Sequence, residues 1–178
     1  MTEIQEKADT IPQELSIAEI RKYTKEAAPL IHCITNPISI HDCANIILAA
    51  GARPIMAEHP AEVAEITAVA SALMLNLGNI TDARIESIQR ALKEANRRKI
   101  PVLLDLVGVT CSSLRREFAR KLLADGRFAV IKGNISEILA AADLPFHGTG
   151  IDAGSQDAVS QANEARYCTT AKKLAEHL

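Results

Sequence analysis

Short apolar runs alternate with segments of helical spacing along most of the chain. Each run rich in Ile, Val, Leu and Ala is followed by a stretch in which apolar residues recur at every third or fourth position. We predict strands at 30–35, 53–57, 72–76, 100–104 and 127–131. We predict helices at about 16–27, 39–50, 60–70, 81–99, 114–122 and 136–142, and a last helix from about 156 to the end.

This alternation predicts an α/β fold. Strands that are apolar on both faces and joined by helices belong to a mostly parallel sheet that helices cover on both sides. Aromatic residues make up only 3% of the chain and Trp is absent, so Ala, Ile, Leu and Val must form the core, which suits such a sheet. The 178 residues fit one domain, which we place at 14–178 after a flexible polar lead-in at 1–13.

The composition argues against several classes of function. A formal net charge of −2 gives no basic field for nucleic acid, and no apolar run is long enough to span a membrane. The polar N-terminus lacks the apolar middle of a secretion signal, and the four cysteines include no C-x-x-C pair. We therefore expect a cytoplasmic protein with reduced thiols that binds neither nucleic acid nor membranes.

The candidate chemistry stands at the carboxyl ends of the predicted strands, where ligands of open α/β sheets bind. In chain order, these ends carry Asn36, Met56, Asn76 with Gly78, Asp105 with Gly108, and finally Lys132, Asn134 and Glu137. Two carboxylates on adjacent strand ends, with a lysine and an amide between them, are suited to a Mg²⁺–phosphate group. The pattern therefore indicates an anion and metal site at this edge of the sheet.

Each of these residues also has a purely local interpretation, which the pattern leaves open. Asn134-x-x-Glu137 fits a capping box that opens the next helix. Asn and Gly form turns, Met56 fits a core position, and Asp105 fits the cap of a turn. There is no P-loop motif, and the histidines and cysteines at 32–43 do not share one face for zinc.

Several ordered motifs resemble those of the hydroxyethylthiazole kinase family. They are residues 32–37 (HCITNP), 52–57 (ARPIMA), 72–78 (ALMLNLG), 104–108 (LDLVG), 130–137 (VIKGNISE) and the turn at 150–152 (GID). The fourth is similar to the family's Asp-Pro-Val-Gly motif and the fifth to its Arg-Gly-Asn-x-x-Glu corner. The resemblance covers about residues 25–178.

The resemblance implies a ribokinase-like fold, with three α/β/α layers around a mostly parallel sheet. It implies transfer of the ATP γ-phosphate to the hydroxyl of 4-methyl-5-(2-hydroxyethyl)thiazole in thiamine salvage, with Mg²⁺ required. It also implies a homotrimer with the thiazole pocket between subunits. A sugar or vitamin kinase of the same fold is disfavoured by the motif at 32–37 and by Met56.

The resemblance further implies roles for individual residues. Asn36, Met56 and Gly78 would bind the thiazole, Lys132 and Asn134 would bind the ATP phosphates, and Asp105 and Glu137 would serve the metal. Lys132 stands where the family has Arg, which keeps the charge but loses the bidentate fork. Leu106 replaces the proline of the Asp-Pro-Val-Gly motif, a change that bears on the position of Asp105.

One family motif has no counterpart in this sequence. Family members carry a Gly-x-Gly-Cys turn that supplies the anion hole and the residue that activates the hydroxyl, so we identify no catalytic residue here. We expect a shortened chain whose sheet is incomplete on its C-terminal side, with an exposed apolar edge that favours association. Two hypotheses follow: a working kinase, or an inactive remnant that retains at most thiazole binding.

Overall fold

The structure, a computed structural model, describes residues 15–176. Within this range helices and strands alternate in the order α1 (Ile17–Ala27), β1 (Leu30–Ile34), α2 (Ile40–Ala50), β2 (Arg53–Ile55), α3 (Val63–Val69), β3 (Ala72–Asn76), α4 (Asp82–Arg98), β4 (Val102–Asp105), α5 (Ser113–Asp125), β5 (Val130–Lys132), α6 (Ile135–Ala141), a 3-10 turn (Ser155–Asp157) and α7 (Glu164–Glu176). The predicted α/β alternation is confirmed. The lead-in predicted at 1–13 lies outside the described residues.

All five strands pair in parallel in one sheet, in the order β2-β1-β3-β4-β5. The chain moves outward from β1 to β2 on one side, and then continues from β3 to β5 on the other. The strand order therefore reverses between β1 and β3, and such a switch point opens a crevice at the carboxyl ends of the strands. Asn76 at the end of β3 lies in register with Asp105 at the end of β4.

The core fills the space between this sheet and the helices. Its buried side chains include Leu73, Leu75, Val102 and Leu104 from the strands, and Ile88, Leu92, Phe118 and Leu122 from α4 and α5. Aliphatic residues dominate this set, as the low aromatic content predicts. A core of this kind fixes the spacing of the strands, and with it the spacing of the polar residues that follow them.

Capping residues set the helix boundaries largely as the sequence predicts. Ser16 and Glu19 form a reciprocal capping box at the start of α1, and the Thr81 hydroxyl accepts from the Arg84 amide at the start of α4. Gly51 ends α2 with φ +97°, and a Cβ there would lie 2.8 Å from the Cα of Lys25. Glycine at this position therefore lets α1 approach the end of α2 closely.

The last helix starts later than predicted: it begins at Glu164, and the prediction of a helix from about 156 is wrong for the residues before it. Asp157 is buried and accepts from Ser136 and His147, so it cannot lie on an exposed helical turn. Asn163 then accepts from the Ser160 amide. These side-chain bonds compete with helical hydrogen bonds and delay the start of α7.

Helix α2 is apolar but stays near the surface. None of its eleven residues is fully buried, and Ile46 and Leu48 are 69% and 57% exposed. On the neighbouring α1, Ile17 and Ile20 are exposed as well. These two helices therefore present an apolar surface beside β1 and β2. Among the described helices, none combines the length and apolar character needed to cross a membrane.

Candidate functional site

Two asparagines meet at the switch point between β1 and β3. The Nδ2 of Asn36 donates to the Oδ1 of Asn76 at 3.2 Å. The Oδ1 of Asn36 accepts from the amides of Ile38 and Ser39, both at 3.0 Å, so a local turn sets the direction of this side chain. The first predicted thiazole residue, Asn36, is thus tied to the end of the neighbouring strand.

Asn76 extends this contact to the next strand. It is 7% exposed, its Oδ1 also accepts from the Gly78 amide at 2.8 Å, and its Nδ2 donates to the Oδ2 of Asp105 at 3.1 Å. Every polar atom of the Asn76 side chain therefore has a partner. The sequence places Asn76 at a strand end but gives it no role, because only the strand order reveals that it lies between Asn36 and Asp105.

Asp105 accepts hydrogen bonds from three groups. Besides Asn76, the Val107 amide donates to its Oδ1 at 3.1 Å, and the Nζ of Lys132 lies 3.3 and 3.4 Å from its two oxygens. The Asp105 side chain is 14% exposed and that of Lys132 is 61% exposed. The predicted cation and carboxylate therefore form an ion pair at the solvent boundary.

Glu137 is 1% exposed, and both of its carboxylate oxygens accept hydrogen bonds from backbone amides. The capping box is formed, because its Oε2 accepts from the Asn134 amide at 2.8 Å while the Oδ1 of Asn134 accepts from the Glu137 amide at 3.0 Å. Its Oε1 accepts from the Gly108 amide at 2.9 Å, which joins the start of α6 to the turn after β4. Glu137 therefore fixes the distance between two turns of the site.

Arg115 makes a further connection that sequence reasoning missed. From the first turn of α5, its guanidinium donates to the carbonyl oxygens of Leu77 and Gly78, the latter at 3.3 Å. The same group lies against Gly108, which has φ +77° and where a Cβ would come within 3.2 Å of Nη1. The sequence does not reveal this link, because an arginine in the first turn of a helix is most often exposed to solvent.

Met56, the remaining predicted thiazole residue, lies one residue beyond β2 and is half-buried. The buried His32 holds the segment that follows Met56. The Nε2 of the buried His32 lies 2.9 Å from the carbonyl oxygen of Ala57, and its Nδ1 lies 2.8 Å from the hydroxyl of Thr67. Because a carbonyl only accepts, Nε2 carries the proton, and burial lowers the pKa of His32 and keeps the ring neutral.

The loop at 147–157 folds over the other end of the site. The Nδ2 of Asn134 donates to the carbonyl of Ile151 at 2.9 Å, and the Thr110 hydroxyl donates to that of Gly150 at 2.7 Å. Asp157 anchors the loop through Ser136 and His147. Burial opposes ionisation of Asp157, but these hydrogen bonds outweigh it and hold the pKa of the carboxyl below its usual value.

A family model described as the hydroxyethylthiazole kinase family matches residues 21–176. The chain belongs to the hydroxyethylthiazole kinase family. Hydroxyethylthiazole kinase 2 of Clostridium botulinum (strain 657 / Type Ba4) is 51% identical over 156 residues, which are 88% of this chain and 59% of that protein. Hydroxyethylthiazole kinase of Alkaliphilus metalliredigens (strain QYMF) is 44% identical over 142 residues, or 80% of this chain and 51% of that protein.

A solved hydroxyethylthiazole kinase protein from Pyrococcus horikoshii OT3 shares the architecture. It is 35% identical with a TM-score of 0.68, over 71% of this chain and 50% of that one. The ribokinase-like fold predicted from the family motifs is thereby confirmed. This hydroxyethylthiazole kinase family chain spans a little more than half the length of the relatives it matches.

The structure brings six of the seven predicted site residues of this family member onto one continuous edge. In strand order they are Asn36, Gly78, Asp105, Lys132, Asn134 and Glu137. Hydrogen bonds through Asn76 join the first four, and a capping box joins Asn134 to Glu137. Met56 lies at the end of the edge strand β2, next to β1. The ligands assigned to these residues stay predictions.

Proposed function

We propose that this chain carries two halves of a hydroxyethylthiazole kinase site. The thiazole half consists of Asn36, Met56 and Gly78, and the phosphate half consists of Asp105, Lys132, Asn134 and Glu137. The reaction is transfer of the ATP γ-phosphate to the hydroxyl of 4-methyl-5-(2-hydroxyethyl)thiazole, in thiamine salvage. The observation that carries this proposal is the hydrogen-bonded row from Asn36 through Asn76 and Asp105 to Lys132, in a chain of this family.

The thiazole half offers neutral polar groups beside an apolar side chain. The turn amides at 38 and 39 and the end of β3 hold the Asn36 amide in one orientation. The Met56 thioether adapts to an aromatic heterocycle, since sulfur contacts aromatic rings favourably. An uncharged thiazole alcohol suits this combination better than an anionic substrate does.

The phosphate half offers an exchangeable cation. Lys132 pairs with Asp105 at 3.3 Å while its side chain stays 61% exposed, so it can move to a phosphate at little cost. Asn134 begins α6 beside it, held by Glu137 and by Ile151. Lys132 would contribute charge, and Asn134 would contribute polar contacts to the phosphates of ATP.

Mg²⁺ fits the oxygen donors of the phosphate half. This ion keeps several waters and is held by one or two carboxylates, so a cage of three or more protein ligands is not required. Asp105 would be the ligand, because its side chain is 14% exposed at the solvent boundary whereas Glu137 is only 1% exposed. Glu137 would serve the ion by fixing the turns on either side. Mg²⁺, when bound, neutralises charge on the transferring phosphoryl group.

We propose a cytoplasmic homotrimer, and the exposed apolar surface of α1 and α2 supports an assembly of subunits over this face. Asn36 leads through Ser39 directly into α2, whose Ile46 and Leu48 are exposed. A subunit contact over this surface would cover the apolar helices and close the thiazole half from one side. Size-exclusion chromatography with light scattering tests this assembly; a monomer at micromolar concentration contradicts it.

Titration calorimetry and an ADP-release assay test the proposed function. The 178-residue chain should bind 4-methyl-5-(2-hydroxyethyl)thiazole and release ADP in proportion to it when Mg²⁺ and ATP are present. Asn36→Ala should weaken thiazole binding about tenfold, the loss of roughly one or two hydrogen bonds. The matched control is Asn45→Ala, because Asn45 lies exposed on α2 and its side chain hydrogen-bonds to His41, outside the proposed site. No thiazole binding by the unaltered chain contradicts the proposal.

Thiazole binding without phosphoryl transfer is the second candidate function. It is favoured by the engagement of both carboxylates of the phosphate half, each of which accepts at least two N–H donors. Both carboxylates are therefore used in holding the site together, which leaves less of their acceptor capacity for the proton of the substrate hydroxyl. Thiazole binding with no thiazole-dependent ADP release would establish this second function over the first.

A further inference from the structure

The hydrogen-bonded row at the carboxyl edge has one residue at its centre, Asn76. It accepts from Asn36 on one side and donates to Asp105 on the other, at 3.2 and 3.1 Å. Asn36 follows β1 and Asp105 ends β4, two strands that do not pair because β3 lies between them. Asn76 is therefore the side chain through which the thiazole half and the phosphate half are joined by hydrogen bonds.

Backbone donors give this row a single polarity. The amides of Ile38 and Ser39 donate to the Oδ1 of Asn36, and the Gly78 amide donates to the Oδ1 of Asn76. Rotating either side-chain amide by 180° would place its NH₂ group against these N–H donors. Both side-chain amides therefore direct their NH₂ groups along the row toward Asp105, and the row ends on its carboxylate.

Burial makes this polarity costly to break. Asn76 is 7% exposed, and the Val107 amide occupies the other oxygen of Asp105 at 3.1 Å. Replacing one carboxylate oxygen of Asp105 by an N–H donor would leave either the Val107 amide or the Nδ2 of Asn76 facing a donor. A buried donor without an acceptor costs more than an ordinary hydrogen bond contributes, so such a change at Asp105 favours a rearrangement of Asn76, which in turn contacts Asn36.

We propose that Asn76 is a positioning residue that couples the hydrogen bonding of Asp105 in the phosphate half to the orientation of Asn36 in the thiazole half. The identity of the two ligands rests on the proposed function, but the coupling itself rests only on the row. Binding of nucleotide at Asp105 and Lys132 changes the affinity for the thiazole alcohol, and the thiazole alcohol changes nucleotide affinity by the same factor.

The side-chain NH₂ signals of the asparagines in ¹⁵N NMR spectra test the coupling without any ligand. Asp105→Asn preserves shape but replaces one acceptor by a donor, so it should shift the NH₂ signals of both Asn76 and Asn36. With Asn76→Ala, Asp105→Asn should leave Asn36 unshifted. Asn96 is the internal control, because it accepts from the Arg127 amide at the opposite edge of the sheet.

Two results would overturn the proposal. One is an Asn36 signal that does not shift in the single variant Asp105→Asn, in which Asn76 is intact. The other is an equal shift of Asn36 with and without Asn76→Ala. Asn76→Leu keeps the approximate size of the side chain, removes both of its hydrogen-bonding groups and serves as a second variant should Asn76→Ala fail to fold; it too should uncouple Asn36 from Asp105→Asn, and an unchanged shift overturns the proposal.

A binding experiment distinguishes this inference from the proposed function. In the unaltered chain, Mg²⁺ with ATP should change the thiazole Kd by about fivefold or more, the usual range of coupling between sites. The factor should fall to about one with Asn76→Ala. If the unaltered chain binds no thiazole, the proposed function fails while the NMR result still decides the coupling. If thiazole binds and the factor survives Asn76→Ala, the coupling is wrong and the function stands.

Discussion

The thiazole half of the site is held by neutral groups, whereas the phosphate half is held by charged ones. Beneath the thiazole half lie the neutral imidazole of His32 and the Thr67 hydroxyl, and Asn36 is oriented by backbone amides. The phosphate half contains the exposed Asp105–Lys132 pair and the buried Glu137 carboxylate. The neutral half is therefore insensitive to salt, while part of the charged half can rearrange to accept an anion.

Within the phosphate half, one charged residue stabilises the fold and another is available to a ligand. Glu137 accepts from two backbone amides and is almost fully buried, so it belongs to the scaffold. Lys132 holds Asp105 at 3.3 Å from a side chain that is mostly in solvent. Two charged residues five positions apart in sequence thus contribute very differently to stability and to binding, and variants can separate these contributions.

The largest effect is expected from Glu137→Ala. It leaves the buried amide of Gly108 and the half-buried amide of Asn134 without acceptors, so the free energy of unfolding should fall by about 3 kcal/mol. Urea denaturation followed by circular dichroism measures it. Glu19→Ala is the matched control, because Glu19 forms the same capping box at the exposed start of α1 and should cost far less. Equal losses for the two variants would show that Glu137 is only a helix cap.

Arg115→Gln should have the next largest effect. The guanidinium joins α5 to the carbonyls of Leu77 and Gly78, and its loss should lower the free energy of unfolding by about 1–2 kcal/mol. Lys121→Gln, on an exposed position of the same helix, should change it by no more than about 0.5 kcal/mol. If Arg115→Gln lowers the free energy of unfolding no more than Lys121→Gln does, the contact of Arg115 with Leu77 and Gly78 does not stabilise the fold.

The neutrality of the thiazole half predicts a dependence on pH. Burial lowers the pKa of His32 below its ordinary 6.5, so the unfolded chain binds this proton more readily than the folded chain. Stability should therefore be full above about pH 6.5 and fall as the pH drops toward 5, by at most about 1.4 kcal/mol per pH unit. His32→Gln should flatten this slope and the exposed His59→Gln should not; an unchanged slope in His32→Gln contradicts a buried neutral ring.

The smallest effect on stability is expected from Lys132→Gln. An exposed ion pair contributes little, so the free energy of unfolding should stay within about 0.5 kcal/mol. ATP binding, measured by calorimetry, should nevertheless weaken and lose part of its dependence on salt. Thiazole binding should be unaffected by raising NaCl from about 0.05 to 0.5 M. A large loss of stability in Lys132→Gln, or thiazole binding that depends on salt, would contradict the proposed difference between the two halves.

Much of the fold follows from the sequence, because hydrophobic period and capping residues are local signals. The strands, the α/β class and the capping boxes at Ser16 and Asn134 are of this kind. The strand order is not a local signal, and the contacts of Asn76 and Arg115 depend on it. The start of α7 was mispredicted for a related reason: the partners of Asp157 lie 10 and 21 residues away in sequence.

The site residues show the same difference between local signals in the sequence and contacts that depend on the fold. The residues at strand ends are recognisable in sequence because carboxyl ends of parallel strands share one edge. Which of them touch cannot be read in the same way. The pairing of Lys132 with Asp105, and of Glu137 with Gly108, joins residues 27 and 29 positions apart. The distinction between the partly exposed Asp105 carboxylate and the buried Glu137 carboxylate therefore comes only from the folded chain.

The most direct test of the two-halved site is ligand mapping by ¹⁵N NMR on the 178-residue chain. Addition of 4-methyl-5-(2-hydroxyethyl)thiazole should shift the amide signals of Asn36 and Gly78, and addition of ATP with Mg²⁺ should shift those of Val107 and Asn134. Shifts confined to the opposite edge of the sheet, or no shifts with either ligand at millimolar concentration, would contradict the account.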